Sequence, residues 1–227
     1  MCGHTPTACV SAPRPVKRGP LRILITAGPT REYIDRVRYL SNESSGKMGF
    51  ALAAAAAERG HRATLIHGPV AIEPAPGVRA IAITSAADLL TACRDEWPSH
   101  DALIMAAAVA DYTPKHRFTT KLKKSAAAMT VKLEPTIDVL ADLAKSRRAD
   151  QIVVGFALED HSPRRNAESK LRRKKLDAIV LNRPANIGSD RAAMEVLVRG
   201  GCWATWASAP KRRVAERLVK LAERLAK

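Results

Sequence analysis

The chain has 227 residues, 46% of them hydrophobic but only 4% aromatic, and a formal net charge of +16. A chain of that length can bury its core as one α/β domain without disulfide help, and Cys2, Cys9, Cys93 and Cys202 are scattered without C-x-x-C spacing, so a disulfide framework is excluded and a reduced cytoplasmic setting expected. No apolar run approaches the ~18 residues of a membrane span. The charge calls for anionic partners, yet aromatic residues do not interleave with the Lys/Arg runs, which weighs against specific nucleic-acid binding.

Residues 1–20 read as a basic, proline-bearing tail without an apolar leader segment, followed by a single Rossmann-like domain over residues 21–227. Residues 21–27 form a β-branched run that empties into Gly28-Pro29, the pattern of a central parallel strand. Residues 37–49 then lead into an alanine-rich helix running to Arg59. Ser41, Asn42, Ser44 and Ser45 are natural N-caps, and a helix start offers N–H groups and a positive dipole end to a phosphate or carboxylate. The same residues would also make an ordinary polar loop. Ser41 and Met48 break the Walker pattern, and Gly28-Pro29-Thr30 does not supply the dinucleotide fingerprint.

Strands over residues 62–66 and 78–83, a helix capped by Thr84 or Ser85, and a buried strand over residues 101–105 establish a βαβ rhythm. The small side chains of residues 106–110 at a strand end would let a flat ligand lie against backbone, with Asp111 accepting from a hydroxyl; a plain packing contact with Asp111 solvated is the alternative. Residues 113–131 lose the apolar rhythm and carry Lys121, Lys123 and Lys124, which reads as a flap or a solvated charged face. A short helix over 137–145, a strand over 151–157 and a basic helix over 165–175 follow, the last with Lys170 and Lys174 one turn apart. A strand then stops at Asn182, a hairpin forms around Gly200-Gly201, and an amphipathic helix closes the chain. The fold class is therefore α/β, a three-layer Rossmann-like sandwich with a mainly parallel sheet, a mobile flap and a C-terminal β-hairpin.

Thr26-Ala27-Gly28-Pro29-Thr30-Arg31-Glu32, Ile34-Asp35, residues 37–49, residues 106–112, Lys121 to Lys124, Val154-Gly155-Phe156-Ala157 and residues 170–177 together resemble the phosphopantothenoylcysteine synthetase family in order and approximate spacing. The resemblance runs from about Leu21 through Asp190. It implies a stand-alone counterpart of the synthetase half of bacterial decarboxylase/synthetase fusions. Such an enzyme activates 4′-phosphopantothenate with CTP, or with ATP, to an acyl-nucleotidyl intermediate that the amine of L-cysteine captures.

By matching position, the resemblance places Asn42, Arg38 and Lys121 in catalysis. It places Met105, Ala106, Ala107, Asp111, Ile137, Asp138, Val139, Leu140, Phe156, Lys170 and Lys174 around the nucleotide. Mg²⁺ is implied with the triphosphate, though no metal ligand is identified, and a homodimer whose flap closes over a shared site is expected. Pro29 and Thr136-Ile137-Asp138 depart from the family pattern. An NAD(P)-dependent oxidoreductase and a basic nucleic-acid-binding protein are the competing readings. A site packed with phosphates would give the basic composition a use.

Overall fold

The computed structural model describes residues 19–125 and 128–227. All but the last two residues of the expected tail, and Ala126-Ala127 of the flap, lie outside them.

The buried run Arg22–Ala27 forms β1, and the chain then makes a small hairpin, β2 (Arg31–Tyr33) with β3 (Tyr39–Ser41), before α1 (Lys47–Glu58). The hairpin was not legible as strand because each arm is three residues long, too short for alternation to register. Next come β4 (Arg62–His67), β5 (Val78–Ala82), α2 (Ala86–Glu96), β6 (Ala102–Met105) and the short pair β7 (Tyr112–Pro114) with β8 (Leu133–Pro135). The remainder is α3 (Val139–Leu143), β9 (Ile152–Leu158), α4 (Pro163–Arg173), β10 (Ala178–Asn182), β11 (Arg191–Val198), β12 (Trp203–Pro210) and α5 (Lys211–Leu225).

Eight strands make one sheet in the order β12-β11-β10-β9-β6-β1-β4-β5, parallel from β10 to β5 and antiparallel at β10–β11 and β11–β12. Strand alternation divides the core between two faces. Ile23, Ile25 and Ala27 of β1 face α1 and α5, while Leu24 faces α2. Val214, Leu218 and Leu221 of α5 are buried against the α1 side, so the apolar stripe of the last helix serves the core. The chain leaves β1 for β4 on one side and returns to β6 on the other, with α1 and α2 on opposite faces. This is the topological switch point at which α/β sheets hold ligands.

Two sequence-based expectations need correction here. Ser85, with Asp88, caps α2 through a full capping box, but α1 is capped by none of the serines or by Asn42. Its N-cap is Gly46, at φ 75° and without a side-chain hydrogen bond, because the chain enters the helix through a left-handed turn that glycine adopts at little cost. α4 ends at Arg173, so Lys174 occupies its C-cap and not its last turn.

Three residues into α1 stands Gly49, where an added Cβ would lie 2.3 Å from Ala27 Cβ and 2.9 Å from Ala27 Cα. Backbone lies there, and backbone cannot swing aside. Gly49→Ala should therefore cost about 1–3 kcal/mol, as overpacking does, and lower the urea midpoint at constant m-value. An unchanged midpoint would mean that α1 can retreat from β1 freely.

Candidate active site

At the switch point the loop after β6 is stitched to the end of β1. Ala108 N donates to Gly28 O at 2.9 Å and Thr30 N to Ala108 O at 3.3 Å. The Thr26 and Thr30 hydroxyls accept from Ala107 N and Ala110 N at 3.1 and 3.0 Å. Thr136 then ties α3's approach to the same loop, through Oγ1 to Ala110 O at 2.6 Å and N to Asp111 O at 2.9 Å. The small residues are thus a rigid ledge whose backbone borders an open cleft of about 700 Å³.

That cleft collects most of the residues anticipated from sequence. Asn42, Met105, Ala106, Ala107, Asp111, Ile137, Asp138, Val139, Leu140, Phe156, Lys170 and Lys174 all line it. Asn42 reaches it from the loop after β3 and spans to the ledge, its Nδ2 2.8 Å from Val109 O. Asp111 is exposed at the rim.

The α4 side supplies charge. Lys170 Nζ donates to Phe156 O at 2.8 Å; burial, and next the positive charge of Lys174, push its pKa below the lysine value. Lys174 Nζ lies 2.8 Å from Asp138 Oδ2, and Asp138 also caps α3 through Ala141 N. Burial works against ionisation of Asp138, but the Lys174 and Ala141 hydrogen bonds and the two lysine charges prevail and hold its carboxyl below the aspartate range. A ligand phosphate arriving here can draw Lys174 from Asp138, because an exchange between two anions leaves the ammonium paired throughout.

Arg38 and Lys121 are placed elsewhere. Neither lines the cleft. Arg38 pairs with buried Asp35 at 2.8 Å and donates to Leu122 O at 3.1 Å, while Lys121 is exposed in the segment between β7 and β8. Asp35 is the tie between hairpin and flap: its carboxylate accepts from Arg38 N and Val37 N at 2.8 and 2.7 Å, and from Leu122 N at 3.1 Å. Those backbone bonds, the first from Arg38, pull its pKa down to about 2.

A carboxyl depressed in the folded state stabilises it fully above the unfolded value of 3.8, and that contribution fades as pH falls towards about 2. Asp35→Asn should thus lower stability at pH 6, with the difference from wild type shrinking between about pH 4 and 2 in paired urea titrations. A constant difference over that window would remove Asp35 from this role.

Sequence reading missed most of the opposite wall. Asn182, Asn186, Gly188 and Lys211 also line the cleft, with Lys47 of the 37–49 stretch. Asn182 and Lys211 had a signal in their position, one at a parallel strand's C-terminal end and the other at the first residue of the last helix; bringing them to Lys47 required the topology. Among the described residues no group of three or more His, Cys, Asp or Glu side chains is placed to hold a metal, and no helix is long and apolar enough to cross a membrane.

Residues 19–225 match the model of the DNA/pantothenate metabolism flavoprotein C-terminal domain (DFP) family. The chain belongs to that family. Among relatives of this DFP chain, the coenzyme A biosynthesis bifunctional protein CoaBC of Bacillus subtilis is 42% identical over 184 residues, covering 79% of this chain and 45% of that protein. A cysteine/cysteine sulfinic acid decarboxylase of an unknown prokaryotic organism is 47% identical over 162 residues, 71% of this chain and 45% of that protein. The DFP chain thus spans about half the length of the curated relatives it matches. The crystal structure of the C-terminal domain of a CoaBC superposes with a TM-score of 0.79 at 35% identity, covering 90% of this chain and 95% of that one. The family likeness read from the motifs, and the Rossmann-like fold with its mainly parallel sheet and C-terminal hairpin, both stand.

Proposed function

We propose that this DFP chain joins 4′-phosphopantothenate to L-cysteine in coenzyme A biosynthesis, activating the acid with CTP and releasing CMP and pyrophosphate. One observation carries the reading: a single cleft at the sheet's switch point gathers an amide donor, a small-residue ledge and half-buried cations, within a chain whose relatives include CoaBC proteins.

The chemistry follows from what each wall offers. The ledge and Phe156 give the base and ribose a flat seat, with Asp111 at the rim to accept from ribose hydroxyls. Lys170 and Lys174 neutralise the triphosphate and the departing pyrophosphate. Mg²⁺ enters as part of the nucleotide substrate. Asn42 Nδ2 has two hydrogens, of which one holds Val109 O. The other suits the acyl oxygen as negative charge builds on it when the cysteine amine attacks the acyl carbon. The first step breaks the α–β phosphate bond and expels pyrophosphate; the second expels the nucleoside monophosphate and the amine loses a proton.

Lys121 stands outside this cleft, so its action on the phosphates requires closure of the 113–131 flap or delivery across a dimer. Val37 and Tyr39 of the hairpin region, Phe118 of the flap and Tyr112 and Leu133 at its two ends are exposed, and the hairpin and flap adjoin through the bond from Phe118 N to Ile34 O at 2.9 Å. A second copy covering this face is the reading that gives those apolar side chains cover. Lys121→Gln should slow pyrophosphate release by about 10–100-fold, the range for a charged hydrogen bond made in the transition state. Unchanged release would contradict the assignment.

The function is tested by incubating the protein with 4′-phosphopantothenate, L-cysteine, Mg²⁺ and each nucleoside triphosphate separately. CMP appearing only when both acid and cysteine turn over is the expected result. AMP would correct the nucleotide, and no acid-dependent monophosphate with any nucleotide would overturn the reading.

A further inference from the structure

Ser41 ends β3 and does not cap α1, and neither it nor Thr30 lines the cleft. Their bonds nevertheless frame a residue that does. Ser41 stands opposite Arg31 in the β2–β3 ladder, with Oγ 2.7 Å from Thr30 O and 3.4 Å from Asn42 O. A hydroxyl has one hydrogen, so the shorter contact takes it and fastens the chain one residue before Asn42 to Thr30.

Thr30 is 1% exposed and is bonded in turn to both neighbours of Val109. Its N donates to Ala108 O at 3.3 Å, and its Oγ1 accepts from Ala110 N at 3.0 Å. Arg31 N donates to Thr84 O at 2.8 Å, which anchors the next residue to the segment before α2. Val109 O, between those two ledge residues, is the acceptor of Asn42 Nδ2 at 2.8 Å. The circuit therefore closes: Thr30 holds the ledge on both sides of that carbonyl and, through Ser41, holds the chain that brings the amide to it. Asn42 is exposed, and among the described residues the bond to Val109 O is the one hydrogen bond its side chain makes. A single bond lets an exposed side chain swing about its acceptor. Fixing the backbone at both ends of that bond removes the freedom and sets where the second N–H points.

We propose that Thr30 and Ser41 are positioning residues for the capture step, a bracket that aims the second N–H of Asn42 at the acyl oxygen when the cysteine amine attacks. The bracket stands on the bonds above; that its target is an acyl oxygen rests on the ligase reading. It acts without touching substrate. Activation by the nucleotide does not depend on it, because Lys170 stands on α4 and Lys174 at that helix's C-cap, on another wall of the cleft.

Pyrophosphate release without cysteine and amide formation after its addition, measured separately for the wild type, Ser41→Ala and Thr30→Val, test this. Ser41→Ala should release pyrophosphate at the wild-type rate, keep its KM for CTP within about twofold and slow capture by about 10-fold, with Ser41→Thr restoring the rate. Thr30→Val should behave alike, and Thr30→Ser should restore it. Because valine leaves the buried Ala110 N unpaired, Ser41→Ala decides alone if Thr30→Val does not fold. In an Asn42→Ala background Ser41→Ala should change capture by less than about twofold, since no donor remains to be aimed, whereas a bond that served only the fold would slow capture there as much as in the wild type. That full additivity, or wild-type capture by Ser41→Ala, would overturn the proposal while leaving the ligase reading in place. A wild type that formed no amide with any nucleotide would overturn the ligase reading and this role with it.

Discussion

Asn42→Asp should form the acyl-nucleotidyl intermediate and then stall, with the overall rate of amide formation falling by about 10²–10³-fold, the usual effect of removing one oxyanion donor. The asymmetry between half-reactions comes from charge. Asn42 stands on an exposed stretch of loop and bonds Val109 O through Nδ2, so the substitution replaces a donor by an acceptor facing another acceptor. A carboxylate there repels the tetrahedral oxyanion formed when the amine attacks, where negative charge is fully localised on the acyl oxygen. In the activation step the charge resides mainly on phosphate oxygens, which cations neutralise elsewhere in the cleft. Quenched-flow trapping without cysteine should show a wild-type burst of pyrophosphate, followed by slow product formation once cysteine is added. Wild-type turnover would remove Asn42 from the chemistry.

Lys170→Met should raise the Kd for CTP by about 10–100-fold while leaving cysteine saturation unchanged. The substitution keeps the stem's bulk and removes a half-buried cation whose hydrogen bond to Phe156 O borders the cleft. It also removes the charge that, with burial, sets the pH response. Because burial and Lys174 lower the Lys170 pKa from 10.5, CTP binding by the wild type should weaken with rising pH before an ordinary lysine titrates, since the neutral amine no longer attracts phosphate. Lys170→Met should lose that alkaline limb. An unaltered pH profile would show that Lys170 is structural.

The sequence was most legible where burial is simple. β1, β4, β6, β9 and β10 are short β-branched or leucine runs, and their lengths and order could be read because each is followed by a turn residue or a cap. The ledge was legible for a related reason, since a run of alanines at a strand's end has few uses. What escaped notice depended on long-range geometry. Gly46, not a serine, starts α1 because the chain arrives from an inserted hairpin and must reverse in a left-handed turn. That hairpin also removes the direct β1-to-α1 turn on which a dinucleotide pyrophosphate would sit, so the oxidoreductase alternative has no structural footing.

Charge was the least legible property. The excess of Lys and Arg indicates that anions are bound somewhere, yet Arg38 is committed to Asp35 and Leu122, and Arg147 to Asp177. Lys47, read only as part of the 37–49 stretch, and Lys211, read only as the start of the last helix, meet at the cleft because α1 and α5 pack side by side. Cys93 illustrates the opposite error that composition invites: it is a core residue whose thiol is pushed up to about 12 by burial, far from any nucleophilic role.

At the centre of this account is a mixed anhydride between the acid and the nucleotide's α-phosphate, held between Asn42 and the lysines of one cleft. The most direct test uses 4′-phosphopantothenate carrying ¹⁸O in its carboxylate, with CTP, Mg²⁺ and cysteine, and locates the label in the products by mass spectrometry. One labelled oxygen in CMP is the predicted result, because cleavage of the anhydride at the acyl carbon leaves that oxygen on phosphorus. Unlabelled CMP with the label in inorganic phosphate or pyrophosphate would contradict the account.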